Sequence, residues 1–511
     1  NVHLTHSLLC FEFVEFTLTL NHKPMKKFLA FMFLAGLVSS CQNEMVNDSV
    51  LDVGESKILL TKDEALSIAN DNPTTLTEEE VLEMVNGFSS SLAIQTRSIG
   101  NSKVSASIAG MHRLGGVVSN ANTRSAATDS VPVYEVRLTS GEKQGYALVS
   151  ADTRSAGILA YIENGSYENR DSTGAGMMLA LAEATTVAEI NKVERLKAEL
   201  RDKTLSKVAA ALGKSSVTYD GVKDLIEVEG VEGNEMMSRS TPVDTPSTQI
   251  VSMMPQNGGA VLKTEWGQNK PYNLLLPISY DPLFRSEVPY PMGCAIAAGV
   301  QVLAALAPAM TIDGTTIDWA MVTRKPTLYY NTYEGYGDYE EAMMVSKVVK
   351  HMYEETGTTP VIDESIKHEY YEDPSIPFVV SSTTNTSKLR EYLNRYVSYG
   401  AYYSQYAPDP LLATINTNRV MPCVAIMGGA RATNESAGKA THAWVIDGYV
   451  ICIKASREIL KNNDLYFHAN MGWDGTDNGF YKVNADTSME FETKLGNYNV
   501  NFWEITEIHK K

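Results

Sequence analysis

Residues 289–306 read PYPMGCAIAAGVQVLAAL, so a lone thiol, Cys294, stands at the head of a run in which Gln301 is the only polar residue before Leu306. A cysteine there can serve as a small apolar packing group. Alternatively, the partial positive charge of a helix N-terminus stabilises a thiolate and makes it a nucleophile. A thiol nucleophile needs a base to take its proton, a group to orient that base, and donors for the oxyanion formed on the attacked carbonyl. His442 opens the strand-like run THAWVIDGY, and alternation places His442, Trp444 and Ile446 on one face. In LYFHANMGW the same rule groups Tyr466, His468 and Asn470. If the two strands pair, Asn470 can lie beside His442 and hold one ring nitrogen. His468 could equally be the base. His351 sits in an amphipathic helical pattern, His368 in an acidic loop and His509 near the end of the chain; packing or solvation explains all three. No ligand cluster accompanies these histidines, so neither a metal nor another cofactor is expected.

These side chains must be carried by a mixed α+β scaffold. Helical patterns run near 294–307, 340–356 and 387–398, and strand patterns follow in CVAIMGG, HAWVIDGYVICIKA and DLYFHANMGW. The Asp447-Gly448 pair between two β-rich runs predicts a hairpin. Upstream, Thr77 with Glu80 three residues later predicts a capped helix. PVYEVRLTSGEKQGYALVSAD reads as two strands around a Ser-Gly turn, GILAYIENGSY as a third, and AGMMLALAEATTVAEINKVERLKAEL as a long helix. This upstream part contains no cysteine after Cys41, and its one histidine, His112, has no evident partner. The segment around 236–260 is rich in Gly, Ser, Thr and Pro, a composition that predicts an exposed, protease-accessible linker.

Four blocks then form a pattern. WGQNKPYNLLLP, PMGCAIAAGVQVLAAL, THAWVIDGY and YFHANMGWDGTDNGFY occur in the order found in the streptopain family of papain-like bacterial cysteine peptidases, which the chain resembles over most of 261–511. VSKVVKHMYEETG resembles that family's helix between the Cys and His blocks, and QGYALVSADTRSAGILAYIENGSY resembles its inhibitory pro-domain. The resemblance implies a papain-like peptidase domain at 261–511, an inhibitory α+β pro-domain at 42–235 and an activation site within the 236–260 linker. It implies that Cys294 is the nucleophile and His442 the base and then the acid. Gln268 and the Cys294 backbone N–H would hold the oxyanion, Asn470 would orient His442, and Trp473 would shield that bond. It further implies a preference for an apolar substrate residue two positions before the scissile bond. The sequence departs from the family pattern at Met471, where streptopain-like motifs commonly carry Trp.

The chain as a whole agrees with such an enzyme. It has 511 residues, a 44% apolar composition and a formal charge of −18, so it lacks the basic surplus a nucleic-acid partner requires. MKKFLAFMFLAGLVSSC, residues 25–41, has the basic start, apolar stretch and small residues of an export signal, and its end resembles a lipobox with Cys41 as the lipidated residue. Residues 1–24 precede that signal and read as upstream sequence. The expected protein is therefore exported and lipid-anchored through Cys41. It would act on proteins or peptides and carry its own pro-domain as an inhibitor. Cys423 and Cys452 could pair or lie buried in strands. A lipid-anchored binding or inhibitor protein that lost activity, and a transglutaminase-like acyl transferase, are the competing expectations.

Overall fold

The computed structural model describes residues 57–69, 73–96, 104–116, 130–229, 248–255, 261–281, 286–363, 376–432, 439–454, 463–483 and 500–511. The readings on residues 1–41, Cys41 included, and on 236–247 and 256–260 lie outside the described residues.

Local chemistry sets the helix starts. Thr77 Oγ1 accepts from Glu80 N–H at 3.2 Å and Glu80 Oε2 accepts from Thr77 N–H at 2.9 Å, a reciprocal cap that opens the helix Glu78–Gln95. The Cys294 helix, Cys294–Leu306, ends where Ala307 turns left-handed ahead of Pro308. The expected helices near 340–356 and 387–398 are Tyr339–Glu355 and Thr386–Tyr396.

One sheet runs through both parts of the chain. From one edge its strands are Val397–Ser398, Val500–Lys510, Cys423–Ala432, Lys439–Lys454, Asn463–Asn470, Gly479–Val483, Gly157–Ile162, Lys143–Ser150, Val131–Ser140 and Ser105–Leu114. The two parts join at the antiparallel pair Gly479–Val483 with Gly157–Ile162, where Phe480 faces Tyr161 and Tyr481 faces Ala160. The upstream residues expected to fold as a domain of their own thus extend the sheet that carries His442. Alternate residues of the His442 strand, Lys439–Lys454, serve two cores. Val445 packs with the Cys294 helix, while Trp444 and Ile446 pack with Met177, Met178 and Leu181 of the long helix Ala175–Ala211.

Two expectations are corrected and one strand is new. Asp447-Gly448 makes no hairpin: Val445, Ile446 and Gly448 pair in turn with Asn470, Ala469 and His468, leaving Asp447 as the extra residue of a bulge. The flanking runs are apolar on both faces and both are buried, so the strand continues through the dipeptide instead of reversing. Within the expected linker, Thr248–Met254 is a strand paired with Tyr449–Lys454 of the His442 strand. Its Ile250 N–H donates to Ser91 Oγ at 2.9 Å, which ties it to the helix Glu78–Gln95. The last strand, Val500–Lys510, was not anticipated and pairs along Cys423–Ala432. Cys423 and Cys452 are buried in strands and no disulfide joins them, which decides between the two expectations for them.

Candidate active site

Cys294 is the first residue of its helix, and Gly293 caps it at φ 85°; a Cβ there would lie 2.4 Å from the Ser382 carbonyl oxygen, so the backbone can pass only as glycine. The thiol is partly buried. Burial pushes its pKa up, against the opposing pull of the N–H groups of Ala443, Ala295 and Cys294 itself. In this arrangement Cys294 is a neutral thiol.

His442 is buried, with 7% of its surface exposed. Its Nε2 donates to the Met471 carbonyl at 2.8 Å. A carbonyl can only accept, so Nε2 carries the proton. Burial pushes the imidazole down to about 4, with the Met471 carbonyl a smaller opposing influence. His442 is therefore neutral at physiological pH and its Nδ1 is unprotonated, as a base requires. Two indoles lie nearly parallel to the ring: Trp444 at 6.0 Å and 18°, and Trp473 at 6.2 Å and 12° between centroids. Trp473 therefore flanks His442 itself. No hydrogen bond joins Cys294 to His442.

Asn470 sits at the end of its strand, one residue before the carbonyl that His442 contacts, but its own amide is used elsewhere. Oδ1 accepts from Gln301 Nε2 at 3.2 Å and from Gly472 N–H at 3.1 Å, and Nδ2 donates to the Thr264 carbonyl at 2.8 Å. The expected bond between Asn470 and His442 is absent here, because His442 donates one residue further along. Gln268 is buried, its backbone carbonyl accepts from Met292 N–H two residues before Cys294, and its Nε2 has no acceptor. A buried amide donor left without a partner costs free energy and asks for an explanation. An oxyanion formed beside Cys294 would supply one.

His468, the alternative base, is held by Asp447, Oδ1 to Nδ1 at 2.6 Å. Burial, the largest single influence, pulls its pKa down, but Asp447, Glu265 and Glu163 together raise it. It belongs to the bulge. Among the described residues no group of His, Cys, Asp and Glu is arranged to hold a metal ion.

The neighbour of His442 that sequence reasoning missed comes from the upstream part. Gly174, at φ 82° ahead of the helix Ala175–Ala211, lies so close that a Cβ would stand 2.1 Å from His442 Cδ2. Met177 packs over Gly429, whose added Cβ would meet Met177 Sδ at 2.7 Å. Thr173 Oγ1 donates to Asp477 Oδ2, and Asp477 N–H donates to the Asn164 carbonyl at 2.7 Å. Lys482, itself buried, reaches Glu189 of the long helix at 2.8 Å. The Ser-Thr-Gly run before the apolar stretch at 175 was the available signal, but it reads equally as an ordinary helix start.

Residues 266–481 match the model of the peptidase C10 family. That stretch contains Gln268, Cys294, His442, Asn470 and Trp473. No curated protein matches the chain.

Proposed function

Residues 266–481 belong to the peptidase C10 family, the streptopain family of cysteine peptidases, and from that premise we propose that the protein is a cysteine endopeptidase made as a latent precursor. The observation that carries the reading is the buried Gln268 Nε2, a donor without an acceptor, tied through its backbone to the approach of the Cys294 helix.

In the proposed reaction His442 takes the proton of Cys294 at Nδ1, and the thiolate attacks the substrate carbonyl within a papain-like cleft. Gln268 Nε2 and the Cys294 N–H stabilise the oxyanion, and His442 returns the proton to the leaving amine. Water, deprotonated by the same imidazole, then releases the acyl group. Asn470 orients His442 during turnover, and Trp473 shields the bond between them.

What surrounds His442 supports latency. With Gly174 against the ring and Nε2 held by the Met471 carbonyl, His442 is not bonded to Cys294, and both groups are neutral. Residues 42–235 act as the inhibitory pro-domain in this reading, and a cut between 236 and 260 activates the enzyme. Export and a lipid anchor at Cys41 complete the proposal, so that cleavage also frees the peptidase from the membrane.

The test is to incubate purified full-length precursor with a trace of processed enzyme. Cleavage between 236 and 260 and a rise in peptide hydrolysis are expected together, and Cys294→Ala precursor alone is expected to stay uncut and inactive. Hydrolysis by the alanine protein would overturn the assignment of the nucleophile, and full activity in uncut precursor would overturn latency.

A further inference from the structure

Gln301 lies seven residues after Cys294, two turns along the same helix, and is completely buried. Its side chain belongs to a closed ring of hydrogen bonds. Gln301 Oε1 accepts from Trp266 N–H at 3.0 Å and from Thr264 Oγ1 at 3.1 Å. Gln301 Nε2 donates to Asn470 Oδ1 at 3.2 Å, and Asn470 Nδ2 returns to the Thr264 carbonyl at 2.8 Å. Gly472 N–H adds a second donor to Asn470 Oδ1 at 3.1 Å.

The direction of every bond in the ring is set by backbone groups that cannot change role. Trp266 N–H can only donate, so the oxygen of Gln301 must face it and the NH2 of Gln301 must face Asn470. Gly472 N–H can only donate and the Thr264 carbonyl can only accept, so Asn470 must present its oxygen to Gln301 and Gly472 and its NH2 to Thr264. An amide turned over would place NH2 against two donors and oxygen against a carbonyl.

We propose that Gln301 is a positioning residue for the peptidase reaction: it reinforces the orientation that Gly472 N–H and the Thr264 carbonyl give the side-chain amide of Asn470, so that oxygen, and not NH2, awaits the Nε2–H of His442. That N–H now rests on the Met471 carbonyl, one residue from Asn470. When the ring is freed, the same proton passes to the Asn470 oxygen, Nδ1 stays unprotonated for Cys294, and the tautomer needed for the base is kept. Gln301 also ties the nucleophile helix to the 264–268 segment that carries Gln268. This inference rests on the peptidase reading.

The test is Gln301→Glu in processed enzyme. The ionised carboxylate of that variant still accepts from Trp266 and Thr264 but sets an oxygen against the Asn470 oxygen, so it favours the turned-over amide and opposes the orientation that Gly472 and Thr264 support. The expected result is a fall in kcat of about 10- to 100-fold, the size typical of losing a group that orients a functional histidine, with KM within a few-fold of wild type. The deficit should shrink as pH falls, because the carboxyl, once protonated, can donate as the glutamine amide does. In an Asn470→Ala background, where there is no amide to orient, Gln301→Glu should add almost nothing. A purely structural role predicts a pH-independent loss that persists in that background; that result, or wild-type kcat in Gln301→Glu, overturns the proposal. If Gln301→Glu does not fold, Gln301→Met, similar in length and apolar, reads the same dependence on Asn470. Wild-type and Cys294→Ala enzymes assayed alongside keep the two questions apart: hydrolysis by the alanine protein defeats the peptidase reading, whereas loss confined to Cys294→Ala with unaltered Gln301 variants defeats only this one.

Discussion

At the scale of single residues, the chemistry depends on a thiol and an imidazole that are both neutral and unconnected in this state. Burial raises Cys294 and lowers His442 to about 4, so the thiolate is scarce at neutral pH in this state. Alkylation of Cys294 by iodoacetamide is therefore expected to be slow in the precursor and indifferent to His442→Ala, but fast in processed enzyme and slowed there by the same substitution. Equal rates in both forms would mean that His442 never partners the thiol. Gln268→Ala in processed enzyme should lower kcat by about 100- to 1,000-fold, the usual effect of deleting one oxyanion donor, with KM much less affected; a change of only a few-fold would make Gln268 a packing amide. These candidates stood out in sequence because each sits in a short block whose residue types suit the task proposed for it. Gln301 was visible as the one polar residue in an apolar helix run, but nothing in sequence shows that positions 264, 301 and 470 meet. The Met471 carbonyl was invisible for a simpler reason: any residue supplies one.

At the scale of elements, helices with strong caps and alternating strands were readable, and the failures have a common cause. Asp447-Gly448 looks like a turn because the dipeptide favours one, yet the runs on either side find partners along one neighbouring strand and tertiary pairing outweighs the local preference. Thr248–Met254 is short, and its partners lie far away in sequence at 449–454 and on the helix Glu78–Gln95. The element that acts on the site is the start of the long helix Ala175–Ala211. An alanine at 174 would take a left-handed conformation that costs about 1–2 kcal/mol for a residue with a Cβ, and its methyl would collide with His442. Gly174→Ala precursor is therefore expected to melt several degrees lower than wild type in a Cys294→Ala background, and with Cys294 intact to gain activity sooner during processing. A precursor as stable and as latent as wild type would show that this contact does not hold His442.

At the scale of the whole molecule, the two parts form one sheet with shared cores, so the proposed latency would be linked to stability, and stability responds to pH. His442 has a pKa near 6.5 when free and about 4 when buried beside Gly174. A depressed pKa means that its contribution to the docked state is fully present above pH 6.5 and is lost as pH falls toward 4, because protonation favours a solvated imidazole. Two other groups at the junction oppose this. His468 is raised by Asp447, Glu265 and Glu163, although burial is its largest influence, so its contribution is present below its free value and fades as pH rises through the raised one. Asp477 is raised by burial, against the bond from Thr173, and likewise favours docking at low pH. Removing the titration of one group isolates it. In Cys294→Ala precursor, which cannot digest itself, the melting temperature is expected to fall between pH 7 and pH 4.5, and His442→Phe in the same background should flatten that fall because no imidazole remains to be protonated. His468→Phe should have the opposite effect and steepen it, by deleting a group that stabilises the acid side. If His442→Phe leaves the acid slope unchanged, the imidazole is not what acid acts on in the full-length chain, and its protonation cannot be the step by which acidification would loosen the contact between Gly174 and His442.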